Sequence, residues 1–522
     1  MTEKIFIFDT TLRDGTQGES ISLSVRDKLQ IIEKLDESGV DYIEVGFPAS
    51  NPKDEELFGI LKNKKYSYSK VVAFGRTQYK NVSAKDDENI KMLIAAQADA
   101  VCIFGKSSSF HVGKVIETTL ENNIEMIFDS VRYLKNNVAE VIFDGEHFFD
   151  GYRENPQYAI KTLKAAQDAG ADFVVLCDTN GGILPMEIYA VLENVLKEIN
   201  IPVGVHYHND SGCAVANSII SVSLGSKMVQ GTINGYGERA GNADLCQIIP
   251  NIEIKLGKQC LRKDSIMHLT SLSRFVAEVA NQVPSNHQPF VGNSAFAHKA
   301  GMHVSGVSKF PKAFEHISPE SVGNKRRILI SELSGKKSIL IKAHEFGVDL
   351  ENNPKIVSDI LDKVQKMEHE GYQFEAADAS FELMVKSLAG VKKEYFTLES
   401  FRVLNEKRES GEMLSEATVK ILINNERFIE TGEGDGPVNA LDMALRKALS
   451  RYYPMQDRIK LTDFKVRVLN EKKGTGAVVR VLIESSDGEN SWGTIGVSEN
   501  IIEASWQALQ DSIIYGLDNL SK

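Results

Sequence analysis

The chain has 522 residues, more than one ordinary domain holds, so two or three domains are expected. Hydrophobic residues make up 42% and charged residues 25%, the balance of a soluble globular protein with material for a large core. The formal charge of -12 excludes a non-specific nucleic-acid binder, which needs a cationic surface to displace counterions. No apolar run approaches the ~18 residues of a membrane span, and the N-terminus MTEKIFIFDTT carries no cleavage pattern, so no membrane association is expected. The five cysteines include no C-x-x-C pair, which points to reduced, mostly buried thiols in a cytoplasmic protein.

The first ~260 residues alternate short apolar runs with longer amphipathic stretches. The runs are 5–11, 42–48, 71–75, 100–105, 140–148, 173–181, 203–210 and 228–242. They are rich in β-branched and aromatic residues and end in polar or glycine signals. Between them the spacing predicts helices, for example Asp27 to Ser38 and Met186 to Ile199. Eight strands alternating with helices predict an α/β fold, a (β/α)8 TIM barrel, over 1–262. No G-x-G-x-x-G follows the first strand, which argues against a dinucleotide fold. Polar residues gather at the C-terminal ends of the runs: Asp9 to Asp14, Glu44, Glu146, Asp178 to Asn180, His206 to Asp210 and Glu238 to Asn242. In a barrel those ends share one face, and that face carries the chemistry.

Residues 263–390 read as a mostly helical linker region. From 391 the pattern repeats. FRVLNEK at 401–407 recurs as VRVLNEK at 466–472, VKILI at 419–423 as VRVLI at 479–483, and NALDMAL at 439–445 as EASWQAL at 503–509. Three matches in one order indicate a duplicated unit of strands followed by a helix, hence an α+β domain with an internal pseudo-repeat over 391–522. The glycine-rich GEGDGP at 432–437 lacks the lysine and Ser/Thr of a P-loop and is expected to form a turn.

His206 and His208 stand two apart at the end of the seventh run. In a strand such residues face the same way, so both imidazoles project together, as a divalent metal requires. Asp14 offers a hard anionic oxygen, and Asn242 a neutral one unless it serves only the turn beside Gly241. Two imidazoles, a carboxylate and an amide oxygen suit manganese, zinc, magnesium or cobalt. Arg13 carries a fixed charge able to hold an oxyanion or carboxylate, or a structural ion pair. Glu146 lies in an apolar-aromatic stretch and is expected to be poorly solvated. Lys325, Arg326 and Arg327 form a basic run expected to be a solvated surface cluster.

DTTLRDGTQ near the N-terminus, HYHND on the seventh strand and GYGERAGNAD on the eighth resemble the homologous acyltransferase family. That family includes 2-isopropylmalate, homocitrate and citramalate synthases, with related HMG-CoA lyases. The resemblance covers nearly the whole chain: HKAGMHVSG at 298–306 resembles the family's linker and the duplicated unit its amino-acid-sensing regulatory domain. FDGEHFFDGY, SNPKD and ESVGNKRR resemble the citramalate synthase branch in particular. The resemblance implies condensation of acetyl-CoA with a 2-keto acid, pyruvate in that branch, followed by thioester hydrolysis. It implies a divalent metal on Asp14, His206 and His208 with Asn242 nearby, Thr179 on the substrate carboxylate and Arg13 on the developing oxyanion. It further implies Glu146 and His303 as the proton-abstracting pair, an amino-acid effector (isoleucine) and a homodimer. His298 is the competing histidine of the linker. Two positions depart from the family pattern: Phe314 stands where a relay tyrosine is common, and Phe47 where the citramalate branch usually has tryptophan.

Overall fold

The computed structural model describes residues 3–521 except 470–473 and 475. Packing gathers the chain into two compact units, 1–296 with 317–325, and 297–316 with 326–522.

The first unit is the expected barrel. Eight parallel strands close in sequence order: β1 (Phe6–Asp9), β2 (Tyr42–Gly46), β3 (Lys70–Arg76), β4 (Ala100–Lys106), β5 (Val141–Glu146), β6 (Phe173–Asp178), β7 (Val203–Tyr207) and β8 (Met228–Gly231), with β8 returning to β1. The two-residue period of a strand explains both cores. One parity points inward, and Phe8, Tyr42, Val72, Phe74, Cys102, Ile142, Val175 and Met228 fill the lumen. The other parity points outward, so Ile7, Ile43, Val45, Ile103, Val174 and Val205 meet the surrounding helices. The inward parity, followed to the C-terminal end of each strand, arrives at Glu44, Lys106, Asp144, Glu146, Thr179, His206, His208 and Gln230. The polar mouth of the barrel is therefore a consequence of register.

The helices follow from local signals. The helix Val25–Ser38 starts at Ser24, which forms a capping box with Asp27, and stops at Gly39, where φ is 77°. A side chain at Gly39 would also place its Cβ 2.5 Å from that of Arg262. The helix Leu269–Val279 buries Leu269, Leu272 and Val276 in the outer core of the same unit.

In the second unit a two-stranded pairing of β9 (Ala297–His298) with β10 (Arg327–Ile328) precedes a helical region. The duplicated unit follows. Antiparallel β11 (Thr397–Lys407), β12 (Met413–Ile423) and β13 (Glu426–Gly434) lead to the helix Pro437–Leu449. Antiparallel β14 (Lys460–Val468), β15 (Val479–Ser486) and β16 (Ser491–Ser498) lead to the helix Ile501–Leu520. Matched positions do matched work: Ile421 and Val481, Ile423 and Ile483, Ala440 and Ala504, Leu445 and Leu509 are all buried. The Asn470 to Lys472 part of the first repeat match lies outside the described residues. GEGDGP ends β13 and turns into the next helix, with Pro437 at its first position. No helix among the described residues is long and apolar enough to cross a membrane.

Candidate metal centre and active site

The turn after β1 builds the first half of the site. The Asp9 carboxylate accepts from the Thr11 amide and hydroxyl at 3.0 and 2.8 Å, and the Thr11 hydroxyl accepts from the amide of Ile233 at 2.8 Å. This ties the DTTLRD turn to the end of β8 and aims Arg13 and Asp14 across the barrel mouth. Arg13 donates through Nε to Glu44 at 2.6 Å and through Nη1 to Asp14 at 3.1 Å. Its guanidinium lies 3.7 Å over the ring of Phe74. Phe74 stacks on Phe104 at 5.4 Å and meets the edge of Phe47 at 6.0 Å.

The second half comes from β7 and β8. His206 Nε2 lies 3.4 Å and His208 Nε2 3.9 Å from Asp14 Oδ2. One ligand atom from each of the three buried residues lies within 4.8 Å of the others. Atoms that share an ion at about 2.0–2.2 Å stand roughly 3–4 Å from one another, so this spacing fits a cation between them. Asn242 faces His208 across an antiparallel bridge. Its amide nitrogen donates to Tyr236 O at 3.1 Å, which leaves Oδ1 buried with no partner. The Nδ1 of His208 is also buried and unpartnered. An orphaned amide oxygen beside two imidazoles and a carboxylate is the donor set a divalent metal takes. The GYGERAGN sequence makes the bend possible: a Cβ at Gly237 would lie 2.3 Å from Asn242 Nδ2, and Gly241 adopts φ 87°.

The electrostatics of Asp14 and His208 suit this chemistry, while burial opposes the charge of His206 but Asp14 outweighs it and raises that imidazole above its ordinary value. Burial works against the charge of Asp14, but Arg13 and the two imidazoles outweigh it and hold the carboxyl well below the usual carboxylate range. Burial and the neighbouring His206 push His208 down to about 4, so it presents a free lone pair at neutral pH.

Arg13, Asp14, Glu146, Thr179, His206 and His208 line one cleft of about 540 Å³. All of these but Arg13 and Asp14 lie on strand ends or just beyond them. Three models for families of known proteins match: HMGL-like over residues 4–276, homocitrate synthase post-HMGL domain-like over 290–371, and LeuA allosteric (dimerisation) domain over 375–517. The chain belongs to the HMGL-like family. It is similar to an (R)-citramalate synthase of Geobacter sulfurreducens, 53% identical over 98% of this chain and 97% of that one. A second (R)-citramalate synthase, from Aquifex aeolicus, is 50% identical over 99% and 98%. A probable 2-isopropylmalate synthase of Methanopyrus kandleri is 31% identical over 100% and 99%.

Within this HMGL-like site two expectations are corrected. Glu146 is not a poorly solvated carboxylate: its side chain is 22% exposed and paired with Lys106. The apolar neighbours in its sequence face away from it, because alternate residues of β5 point to opposite sides. Nor is the run Lys325 to Arg327 solvated throughout: Lys325 is exposed, but Arg326 and Arg327 are only half-exposed. Arg326 forms two hydrogen bonds, 2.6 and 2.5 Å, with the buried Glu315. Glu315 also holds His298 at 3.0 Å, which commits that histidine to a structural role. His303 belongs to the second compact unit, is exposed, and stacks on Phe314 with ring centroids 4.4 Å apart. The residue at the relay position thus touches the histidine but carries no hydroxyl.

Thr179 accepts from the amide of His147 at 2.9 Å, so its own proton is left to donate. Arg239 fixes the Thr179 carbonyl at 2.8 Å while pairing with Asp210. Sequence reasoning missed Lys106, Gln230 and the aromatic wall of Phe74 and Phe104. Lys106 stands one residue beyond the fourth apolar run, where a strand-end parity count would have found it. The five cysteines are free thiols, four of them buried.

Proposed function

We propose that this chain condenses acetyl-CoA with pyruvate and hydrolyses the resulting thioester, giving (R)-citramalate and CoA. The observation that carries the reading is the high identity to (R)-citramalate synthases over almost the full length, against about three residues in ten for a 2-isopropylmalate synthase. The site is compatible with it. The aromatic wall of Phe47, Phe74 and Phe104 beside Arg13 favours a keto acid with a short side chain over the branched one of 2-ketoisovalerate.

Asp14, His206 and His208, with Asn242, would hold the divalent metal, whether manganese, zinc, magnesium or cobalt. Bound there, it supplies Lewis acidity to the keto-acid carbonyl. The Thr179 hydroxyl donates to the pyruvate carboxylate. Arg13, held by Glu44 and Asp14, offers its remaining N–H groups to the oxygen that gains negative charge. Glu146 and His303 remove a methyl proton from acetyl-CoA, a weakly acidic position that needs a placed base and a stabilised enolate. Lys106, paired with Glu146, keeps that carboxylate oriented for the step. Because Phe314 has no proton to pass, the relay beyond His303 runs through water or another hydroxyl.

In this reading 1–262 is the catalytic domain, 263–390 the linker and 391–522 the regulatory domain. The match to a LeuA allosteric (dimerisation) domain supports a homodimer inhibited by an amino acid, isoleucine, the end product of the pathway this reaction would feed. The free thiols suit the cytoplasm. The test is coupled thiol release with a panel of 2-keto acids, with and without isoleucine or leucine. Pyruvate should be preferred and isoleucine inhibitory; a clear preference for 2-ketoisovalerate or 2-oxoglutarate overturns the reading.

A further inference from the structure

Gln230 is fully buried on the inner face of β8, although a strand interior is a costly place for an amide. Both ends of it are used. Its Nε2 donates to Asp144 Oδ1 at 3.0 Å, and its Oε1 lies 2.9 Å from His206 Nδ1. Asp144 is buried on the inner face of β5. An amide has one donating and one accepting end, and a carboxylate oxygen accepts. Asp144 therefore takes the NH2 group and turns the Gln230 carbonyl toward His206. That carbonyl can only accept, so the hydrogen sits on His206 Nδ1. The remaining nitrogen, Nε2, is the one that faces Asp14 Oδ2, 3.4 Å away, on the side where the metal reading places the ion. His208 has no such support, since its Nδ1 is buried without a partner. The two imidazoles are thus chemically unequal although the sequence presents them as a pair.

We propose that Gln230 is a positioning residue that, anchored by Asp144, locks His206 in the tautomer and ring orientation needed for metal binding through Nε2. His206 is then the preset ligand of the centre and His208 the adjustable one. A ligating histidine whose second nitrogen is held by an acceptor binds metal more tightly, and loss of such a partner costs about 10–100-fold in affinity. The proposal rests on the metal reading of Asp14, His206 and His208 given above.

The experiment is calorimetric titration of the metal-free full-length protein with cobalt(II), together with the visible spectrum of the cobalt-loaded form. Three variants are compared with the wild type. Gln230→Met fills the space but makes neither hydrogen bond. Gln230→Glu keeps an acceptor for His206. Asp144→Leu leaves Gln230 and His206 in place but frees the amide to turn. The expected result is a Kd about 10–100-fold weaker in Q230M with an altered cobalt spectrum, a smaller loss in the same direction in D144L, and recovery of most of the affinity in Q230E. Wild-type affinity and spectrum in Q230M would overturn the proposal, as would a loss in Q230E equal to that in Q230M. If Q230M lowers the metal-free melting temperature, D144L decides: unchanged affinity there refutes the relay. A wild type that binds no cobalt would instead sink the metal reading itself.

Discussion

Replacing Arg13 with leucine removes the cation paired with Glu44, a carboxylate with no exposed surface whose Oε1 already lacks a partner. Burial raises the Glu44 carboxyl above its ordinary value, Arg13 opposes that rise, and Asp144 adds to it. Without Arg13 the group keeps its proton in the fold, while in the unfolded chain it ionises near its ordinary value of 4.5. The folded state then binds the extra proton, so stability is present below that value and is lost as pH rises. Each further pH unit costs about 1.4 kcal/mol for as long as the buried acid stays neutral. The wild-type carboxyl already sits at about 7, so wild type loses the same stability up to that pH; the deficit of Arg13→Leu relative to wild type should therefore stay level from pH 5 to about 7 and grow only above it, by about 1 kcal/mol at pH 8. Both tryptophans, Trp492 and Trp506, lie in the second compact unit, so fluorescence does not follow the barrel. Amide hydrogen exchange of barrel peptides in chelator-treated protein, at several pH values, reads the effect directly. Adding Glu44→Met should restore most of the stability at pH 8, because apolar side chains of similar volume replace buried pairs well. Equal deficits at pH 5 and pH 8 would refute the reasoning, since they would show that the buried Glu44 charge is not what Arg13 offsets.

The double change His206→Ala with His208→Ala should abolish both metal binding and turnover; activity retained by chelator-treated protein would contradict a metal mechanism. Glu146→Gln should lower kcat by about 10²–10⁴ while leaving the metal Kd unchanged, and an unchanged kcat would remove Glu146 from the proton transfer. Gly496 on β16 lies so close to the next helix that a Cβ there would stand 1.9 Å from the Ala504 carbonyl oxygen. Gly496→Ala should cost about 1–3 kcal/mol, seen as a lower tryptophan-detected melting temperature; no shift would mean that strand and helix separate freely.

Much of the barrel was legible because strands advertise themselves twice, by composition and by where they stop. The end of each apolar run marked the catalytic face, and HYHND at one such end gave the two imidazoles. The duplicated C-terminal unit was legible because buried positions such as Ile421 and Val481 recur in register. What escaped were side chains whose role depends on partners far away in sequence. Glu146 looked isolated among apolar neighbours until Lys106, forty residues earlier, proved to be its partner. Arg326 looked like a surface charge until Glu315 was found buried beneath it. Gln230 carried no signal at all, since one glutamine in an apolar strand has no pattern to announce it.

The sequence by itself determined the period-two parity that sends Glu146, Thr179, His206 and His208 to the inside of a barrel, because that parity is a local property of an extended chain. It also determined the donor types at that face, two imidazoles and a carboxylate. Only the tertiary structure decided how those groups are held. The distance from Asp14 to the imidazoles depends on closure of β8 onto β1, and so does the Thr11 contact that aims Arg13. The inequality of His206 and His208 depends on β5, β7 and β8 meeting around a single amide. Apart from His206 with Gln230, which are 24 positions apart, these contacts join residues more than eighty positions apart, and no local rule of backbone geometry can specify them in advance.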